Sequence, residues 1–587
     1  MTVVEDPILI APVQFDWTVQ TRPPIATRAL TRLLQIREVG VLTILALGVY
    51  ISAAVWMRYH EHFFINDALN RTADALYVTM GRDPHLGAIG FYWPPLPQLL
   101  NLPFIPLLEP FRQTVMAGPI ETACCMALTI PVIARIGRDI GVGRRSVFAV
   151  CVAFAFNPVT VYNSTNGMSE AAFFLTCSLS LMGFLRYIRS RSVADTITFG
   201  LALGLLSLTR LEGPAIVVAL IIISTFSWRT LRDRRLAQQR SWDAVLLGLP
   251  AAFAFGGWML MQWVLLKDPL FFLHQPGAPI PPNADWLPKA SSEPHAAYQW
   301  AGHWILALGF VVLIPAALVI LRPRWERNRG SIGICAVIAI IAAIQIDSVG
   351  YHHGFGDPRY FSVTVAVAAI AAMWMASRNS GTRSVAMNGL LVCLLVVNGG
   401  IANWVLSSGT TTGIEKECVF FQRTIASSIP FLGRGANPHG TSYCPAFPDS
   451  LAAFQRAGEF VDARLRRSDL VLTDNSSIFA ADLFTRHPSQ FVVRNDRDYH
   501  KLTANPAGHV TYIITQADAA TGTPEEGTGN IGQGYFDDGA TIIGESPQAW
   551  RLVGSFRSGV SVSKSPLWIQ VYQATGAVPS AGINTPG

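Results

Sequence analysis

The sequence predicts a polytopic α-helical membrane protein with a C-terminal α/β domain. Three observations lead there. Of 587 residues, 51% are hydrophobic and only 14% charged, with a mean hydropathy of +0.35; soluble domains carry about 25% charge. The apolar residues gather into runs long enough to cross a bilayer, roughly 20 residues each. Beyond residue 407 the composition turns to Gly, Pro, Ser and Thr, and no further run of that length occurs.

Spans are expected near 39–58, 115–135, 146–162, 168–187, 194–209, 212–228, 243–266, 301–321, 331–350, 360–377 and 385–406, eleven in all. The fold expected is therefore a bundle of about 11 transmembrane helices. Arginines mark every second connection: Arg135, Arg138, Arg144 and Arg145; Arg186, Arg189 and Arg191; Arg229 to Arg240; Arg322 to Arg329; Arg378 and Arg383. Positive charge stays on the cytoplasmic side of a membrane, so these connections are placed there, together with residues 1–38. That first segment carries Arg22, Arg28, Arg32 and Arg37 and lacks a cleavage signal. The net charge of +6 therefore reads as topology and gives no sign of a nucleic-acid partner. The expected address is a bacterial plasma membrane, with membrane lipids around 39–406 and residues 407–587 outside the cytoplasm.

In that last segment, Leu451 to Arg466 reads as an amphipathic helix and 470–474 as a strand leading into a helix near 476–486. Phe491-Val492-Val493, Tyr512-Ile513-Ile514 and Trp568 to Tyr572 read as further strands, and alternation with helices suggests a partly parallel sheet. Residues 521–534 read as a loop. Of eight cysteines, only Cys418 and Cys444 lie outside the expected spans. An oxidising compartment would let them pair as a disulfide.

The first loop, 59–112, is the polar exception among apolar runs. It contains His60, His62, Asp67, Arg71, Asp74, His85 and the stiff aromatic stretch Gly90-Phe91-Tyr92-Trp93-Pro94-Pro95. A helix is expected over 67–80, ended by Gly81, with an apolar side that could lie in the membrane interface. Asp67, Arg71 and Asp74, at i, i+4 and i+7, share one face. The structural reading is an N-cap at Asn66 or Asp67 with a surface ion pair. The functional reading is an acid at the mouth of a bundle, where ionisable groups are costly and mark sites. The histidines could hold a divalent metal, but no zinc-like spacing supports it; metal identity stays unknown.

Other connections on that side carry chemistry too. Tyr162 to Glu170 joins two spans, and Glu170 starts the next, where an acid suits the helix dipole. Arg210 and Glu212 lie at the membrane and are expected to pair. Tyr351-His352-His353-Gly354-Phe355-Gly356-Asp357-Pro358-Arg359-Tyr360 offers a guanidinium suited to a lipid phosphate; the structural alternative is an Asp357–Arg359 turn bracket. The loop 267–300, with Phe271, Phe272 and Trp286, is a candidate gate.

Taken in order, the acid-bearing first loop, Asn157-Pro158 with Asn166-Gly167-Met168-Ser169-Glu170, Leu208-Thr209-Arg210-Leu211-Glu212-Gly213 and Pro358-Arg359-Tyr360 resemble the GT-C glycosyltransferases. That superfamily includes protein O-mannosyltransferases, aminoarabinose transferases and cell-wall glycosyltransferases. The resemblance covers roughly 40–405. It implies a polyprenyl-phosphate-linked sugar donor, a glycan, glycolipid or protein acceptor, and inversion at the anomeric carbon. It also implies that the first-loop acid, here Asp67, is the general base, with Asp74 as second choice. Arg359, Arg210, His353 and Arg71 are then candidates for the donor phosphate. His85, Tyr92, Trp93 and Glu170 are candidates for the sugar or acceptor. The first loop lacks an Asp-x-Asp pair, so the resemblance assigns no metal. The alternatives are a transporter of lipid-linked sugars, which inverted repeats and broken helices would favour, and a non-catalytic glycan-binding subunit.

Overall fold

The computed structural model describes residues 25–61, 63–91, 93–226, 234–274, 294–321, 325–350, 358–377, 383–407, 450–473, 479–517, 538–560 and 566–576. Helix α1 (Ile25–Tyr59) leads into a first loop that holds α2 (Asn66–Met80), α3 (Leu96–Asn101) and α4 (Phe104–Leu108). The bundle continues with α5 (Ala117–Asp139), α6 (Arg144–Ala155), α7 (Pro158–Asn163), α8 (Glu170–Ser190), α9 (Val193–Ser207) and α10 (Gly213–Thr225). Then come α11 (Arg234–Leu266), α12 (Phe271–His274), α13 (Pro294–Gly309), α14 (Leu313–Leu321), α15 (Trp325–Gly350), α16 (Thr364–Ala376) and α17 (Arg383–Ser407).

Eight helical segments among the described residues are long and apolar enough to cross a membrane, and α9 and α10 are shorter apolar helices. The expected span at 146–162 is not one helix. It breaks between α6 and α7 because Pro158 disfavours a helical residue before it. Asn157 is extended (φ −62°, ψ 129°), and its side-chain oxygen accepts from the Val159 N–H at 2.9 Å, capping the new helix.

At the centre stands α16, buried from Thr364 to Met373. Its run of Ala and Val lets neighbours approach closely, and it packs against α5, α6, α8, α13, α15 and α17. Close approach recurs between α8 and α9, where a Cβ on Gly183 would stand 2.7 Å from the Phe199 Cα. By contrast α1 and α11 turn large apolar side chains outward, among them Ile44, Trp56, Phe253 and Trp263, as lipid-facing helices do. At the bundle end away from the first loop, Arg144 pairs with Glu38 and Arg186 with Asp139 (2.6 Å). Asp243 there accepts from Arg240 (3.0 Å) and the Tyr187 hydroxyl (2.7 Å).

The C-terminal segment forms a five-stranded sheet in the order β2-β1-β3-β5-β4, with β1 (Val471–Thr473), β2 (Phe491–Val492), β3 (Tyr512–Ala517), β4 (Trp550–Val560) and β5 (Pro566–Ala574). The first three are parallel and the last two antiparallel. The expected helix stops at Asp462 instead of Arg466, because the Asp469 carboxylate draws the Arg466 N–H into a turn (2.8 Å). Strand β4 was not expected: Arg551, Gly554, Ser555 and Arg557 interrupt its alternation, and a bulge falls between Leu552 and Gly554. Cys418, Cys444, the loop 521–534 and part of the helix expected near 476–486 lie outside the described residues.

Candidate active site

Helix α2 carries the site and is enclosed. Ala68, Leu69, Ala73, Leu76 and Tyr77 are buried, as are Arg71 and Asp74. The expectation of an interfacial helix with a surface ion pair is therefore corrected. The apolar side packs into the bundle and against Leu451, Ala480, Leu483 and Val493 of the C-terminal segment, which shields it from lipid. The N-cap is Ile65, without a side-chain cap bond, and Asp67 lies in the first turn. Gly81 does end the helix, but in extended conformation (φ −62°, ψ 178°). Glycine is needed there for space: a Cβ would stand 2.7 Å from the Tyr77 carbonyl oxygen.

Three connections converge on the start of α2. The Arg359 Nη2 donates to Asp67 Oδ2 at 3.1 Å, and its Nη1 lies 3.8 Å from the Met168 sulfur. Arg210 donates from Nη1 to Glu170 Oε1 at 2.6 Å and from Nε and Nη2 to the two Glu212 oxygens at 3.2 and 3.1 Å. Gln345 adds a donor to Glu212 at 3.1 Å. The Arg359 Nε stands 3.9 Å from Glu170, and Tyr360 lies under both guanidinium groups, at 5.3 and 5.0 Å. The turn that presents Arg210 depends on Gly213, where a Cβ would meet the Leu206 oxygen at 2.2 Å. Arg71 completes the group, its guanidinium 4.5 Å above the Trp93 ring.

Buried charges persist only when partners replace water. Arg210 meets that condition: burial works against its charge, but the Glu212 and Glu170 carboxylates raise its pKa above the ordinary arginine value. Arg71 meets it less fully. Burial draws it down to about 10, against the pull of Asp67 and Glu170, and its Nε and Nη1 make no hydrogen bond. Asp74 is pushed well above the usual carboxylate range by burial, which the nearby Arg71 only partly offsets. Asp67 differs: its side chain is 35% exposed while Arg359 is at 11%, so a second substrate can reach the carboxylate.

The other expected residues scatter. Glu170 does begin α8, and Arg210 does pair with Glu212. His85 faces elsewhere, donating from Nδ1 to the Asp83 carbonyl at 2.7 Å. His60 stacks on Trp56 at 3.8 Å and lies 3.1 Å from Glu61. No group of three or more His, Cys, Asp or Glu among the described residues is placed to hold a metal. Phe272 packs on Trp258 at 4.8 Å. His62, Tyr92, Trp286, His353 and Asp357 lie outside the described residues. Sequence reading missed Glu121, a buried acid inside α5; an ionisable side chain within an apolar span was the available signal.

No protein-family model and no curated protein matches the sequence. The fold does match known structures. The chain has the GT-C fold of polytopic membrane proteins. Its backbone follows the crystal structure of ArnT from Cupriavidus metallidurans bound to undecaprenyl phosphate, with a TM-score of 0.51 at 12% identity, over 90% of this chain and 97% of that one. Looser matches are the arabinofuranosyltransferase AftD from Mycobacteria (TM-score 0.38, 12% identity, 92% of this chain and 40% of that one) and the Archaeoglobus fulgidus oligosaccharyltransferase (TM-score 0.37, 13% identity, 81% and 69%).

Proposed function

We propose that this protein is an inverting glycosyltransferase that moves a sugar from a polyprenyl-phosphate donor to an extracytoplasmic glycan, glycolipid or protein. The observation that carries the reading is the pair Asp67–Arg359 at 3.1 Å, a reachable carboxylate beside a buried cation at the mouth of the bundle. ArnT, whose fold this chain shares, is bound to undecaprenyl phosphate in its crystal structure, and such a lipid with a sugar joined to its phosphate is the donor proposed here. In this reading residues 1–38 are cytoplasmic, 39–406 form the membrane catalytic domain, and 407–587 form an extracytoplasmic domain.

Asp67 takes the proton from the acceptor hydroxyl. The oxygen attacks the anomeric carbon, the bond from that carbon to the phosphate oxygen breaks, and the polyprenyl phosphate leaves with the electron pair. Arg359 stabilises the charge that develops on it. Arg71, short of hydrogen-bond partners, is the second cation for the phosphate. Arg210 is saturated by two carboxylates, so its part is to fix Glu170, which in turn lies near Arg359.

Purified protein given an undecaprenyl-phosphate sugar and an acceptor should form product with no lipid gradient, which a transporter would not do. Asp67→Asn should keep the fold and donor binding and lower turnover by about 10²- to 10⁴-fold. Turnover near the wild-type rate would show that Asp67 is not the base.

A further inference from the structure

Beyond Arg71, further along α2 from the Asp67–Arg359 pair, lies a second group of buried polar side chains that the proposed chemistry does not use. Glu121 on α5 is 2% exposed. Its Oε1 accepts from the Cys125 thiol at 3.0 Å, and its Oε2 has no hydrogen bond. Asp74 is 4% exposed and in electrostatic contact with Arg71, as Glu121 is. A Cβ on Gly90 would stand 3.0 Å from Asp74 Oδ2, and Gly90 holds φ at +76°, so only glycine lets the backbone lie this close to the carboxyl. Helix α3 packs against both α2 and α5. It adds Gln98 and Asn101, each 1% exposed, whose amide oxygens also lack partners.

Buried polar atoms without partners cost stability, and here four side chains on α2, α3 and α5, three helices packed on one another, carry them. Free acceptors on Glu121, Gln98 and Asn101 stand with free donors on Arg71, its Nε and Nη1. Such a lining, with donors and acceptors side by side, suits a ligand rich in hydroxyl groups, each able to donate and accept. Asp74 and Asp67 are two helical turns apart, about 10 Å along the axis, so a sugar whose phosphate meets Arg359 and Arg71 can extend toward Asp74.

We propose that Asp74, Glu121 and Arg71, with Gln98 and Asn101, form the subsite that recognises the hydroxyl groups of the transferred sugar. This rests on the donor class proposed above but does not require transfer to occur. Binding to the purified wild-type protein would be measured for undecaprenyl phosphate and for undecaprenyl-phosphate mannose, glucose and arabinofuranose. At least one glycosylated lipid should bind more tightly than the bare lipid. Glu121→Leu and Asp74→Ala should each reduce that margin by about tenfold or more, leave bare-lipid affinity unchanged, and leave the thermal midpoint unchanged or raised. Glu121→Gln, which keeps an acceptor of similar shape, should retain part of the margin. No margin for any of the three sugars, a margin intact in both variants, or a lowered midpoint would each overturn the subsite. A margin that behaves as expected in a protein that forms no product would sustain the subsite and defeat the transferase reading.

Discussion

At the start of α2, Asp67 and Arg71 face side chains from three other connections; at its end, Tyr77, Arg82 and Asp83 face the C-terminal sheet. The two ends treat charge differently. At the far end Tyr77, Arg82 and Asp83 each meet a matched partner. The Tyr77 hydroxyl donates to Asp482 at 2.6 Å, and Asp482 also accepts from Thr473 at the end of β1 (3.0 Å). Arg82 donates to Asp496 at 3.0 Å and to Asp498 at 3.2 Å. Asp83 accepts from the Arg497 backbone N–H at 2.9 Å and from its guanidinium, which holds the Asp83 carboxyl below the usual carboxylate range. Thr114 and Asn495 add bonds to the backbone across the same boundary. At the near end Arg71 keeps two buried N–H groups without partners. Satisfied contacts hold one end of the helix in place; under the proposed function the unsatisfied groups at the other end serve the donor.

The comparison can be broken from either side. The largest effect is expected from Arg359→Ala, which should weaken donor binding by about 2–5 kcal/mol while the C-terminal segment stays docked. Unchanged donor affinity would return the Asp67 pair to a purely structural role. Next comes Arg82→Ala, which strands the buried Asp496 carboxylate. It should cost about 2–4 kcal/mol of docking, seen as faster hydrogen exchange in residues 491–500; protection equal to wild type there would contradict the account of this end. Smaller still is Tyr77→Phe, at about 1–2 kcal/mol. It should lower the thermal midpoint slightly, and donor affinity should hold; a loss of affinity instead would mean that the two ends are coupled through α2.

The smallest effect is expected from Arg497→Ala at neutral pH, because that side chain is 69% exposed and exposed pairs contribute little. Its signature lies in acid. The Asp83 pKa is depressed in the folded state, so the stability it contributes is complete above its unfolded pKa, about 3.9. That contribution fades as pH falls from there through the folded pKa. Exchange in 495–500 should therefore accelerate below about pH 4 in the wild type, and Arg497→Ala should flatten the change. An equally steep acid response in the variant would assign it to another carboxylate.

Much of this arrangement was legible in the chain. Apolar runs of bilayer length marked the spans, since a helix in lipid must present about 20 apolar residues whatever its neighbours are. Gly81 marked a real helix end because its constraint acts within a few residues, whereas Pro158 was read through as the middle of one span and starts a new helix. Asp67, Arg71, Glu170, Arg210 and Arg359 stood out because charge beside long apolar segments is costly. What the chain could not give was pairing. Arg359 reaches back 292 residues to Asp67, where an adjacent turn bracket was the local alternative. Asp74 reads as half of a surface pair until the C-terminal segment is seen to cover α2. Glu121 looks like one acid in an apolar helix until α2 and α3 close over it. Local periodicity and composition determine which segments are helices and which of their residues are expensive to bury. Only tertiary packing decides which expensive groups meet, because burial and Coulomb energy depend on distances that sequence separation does not set.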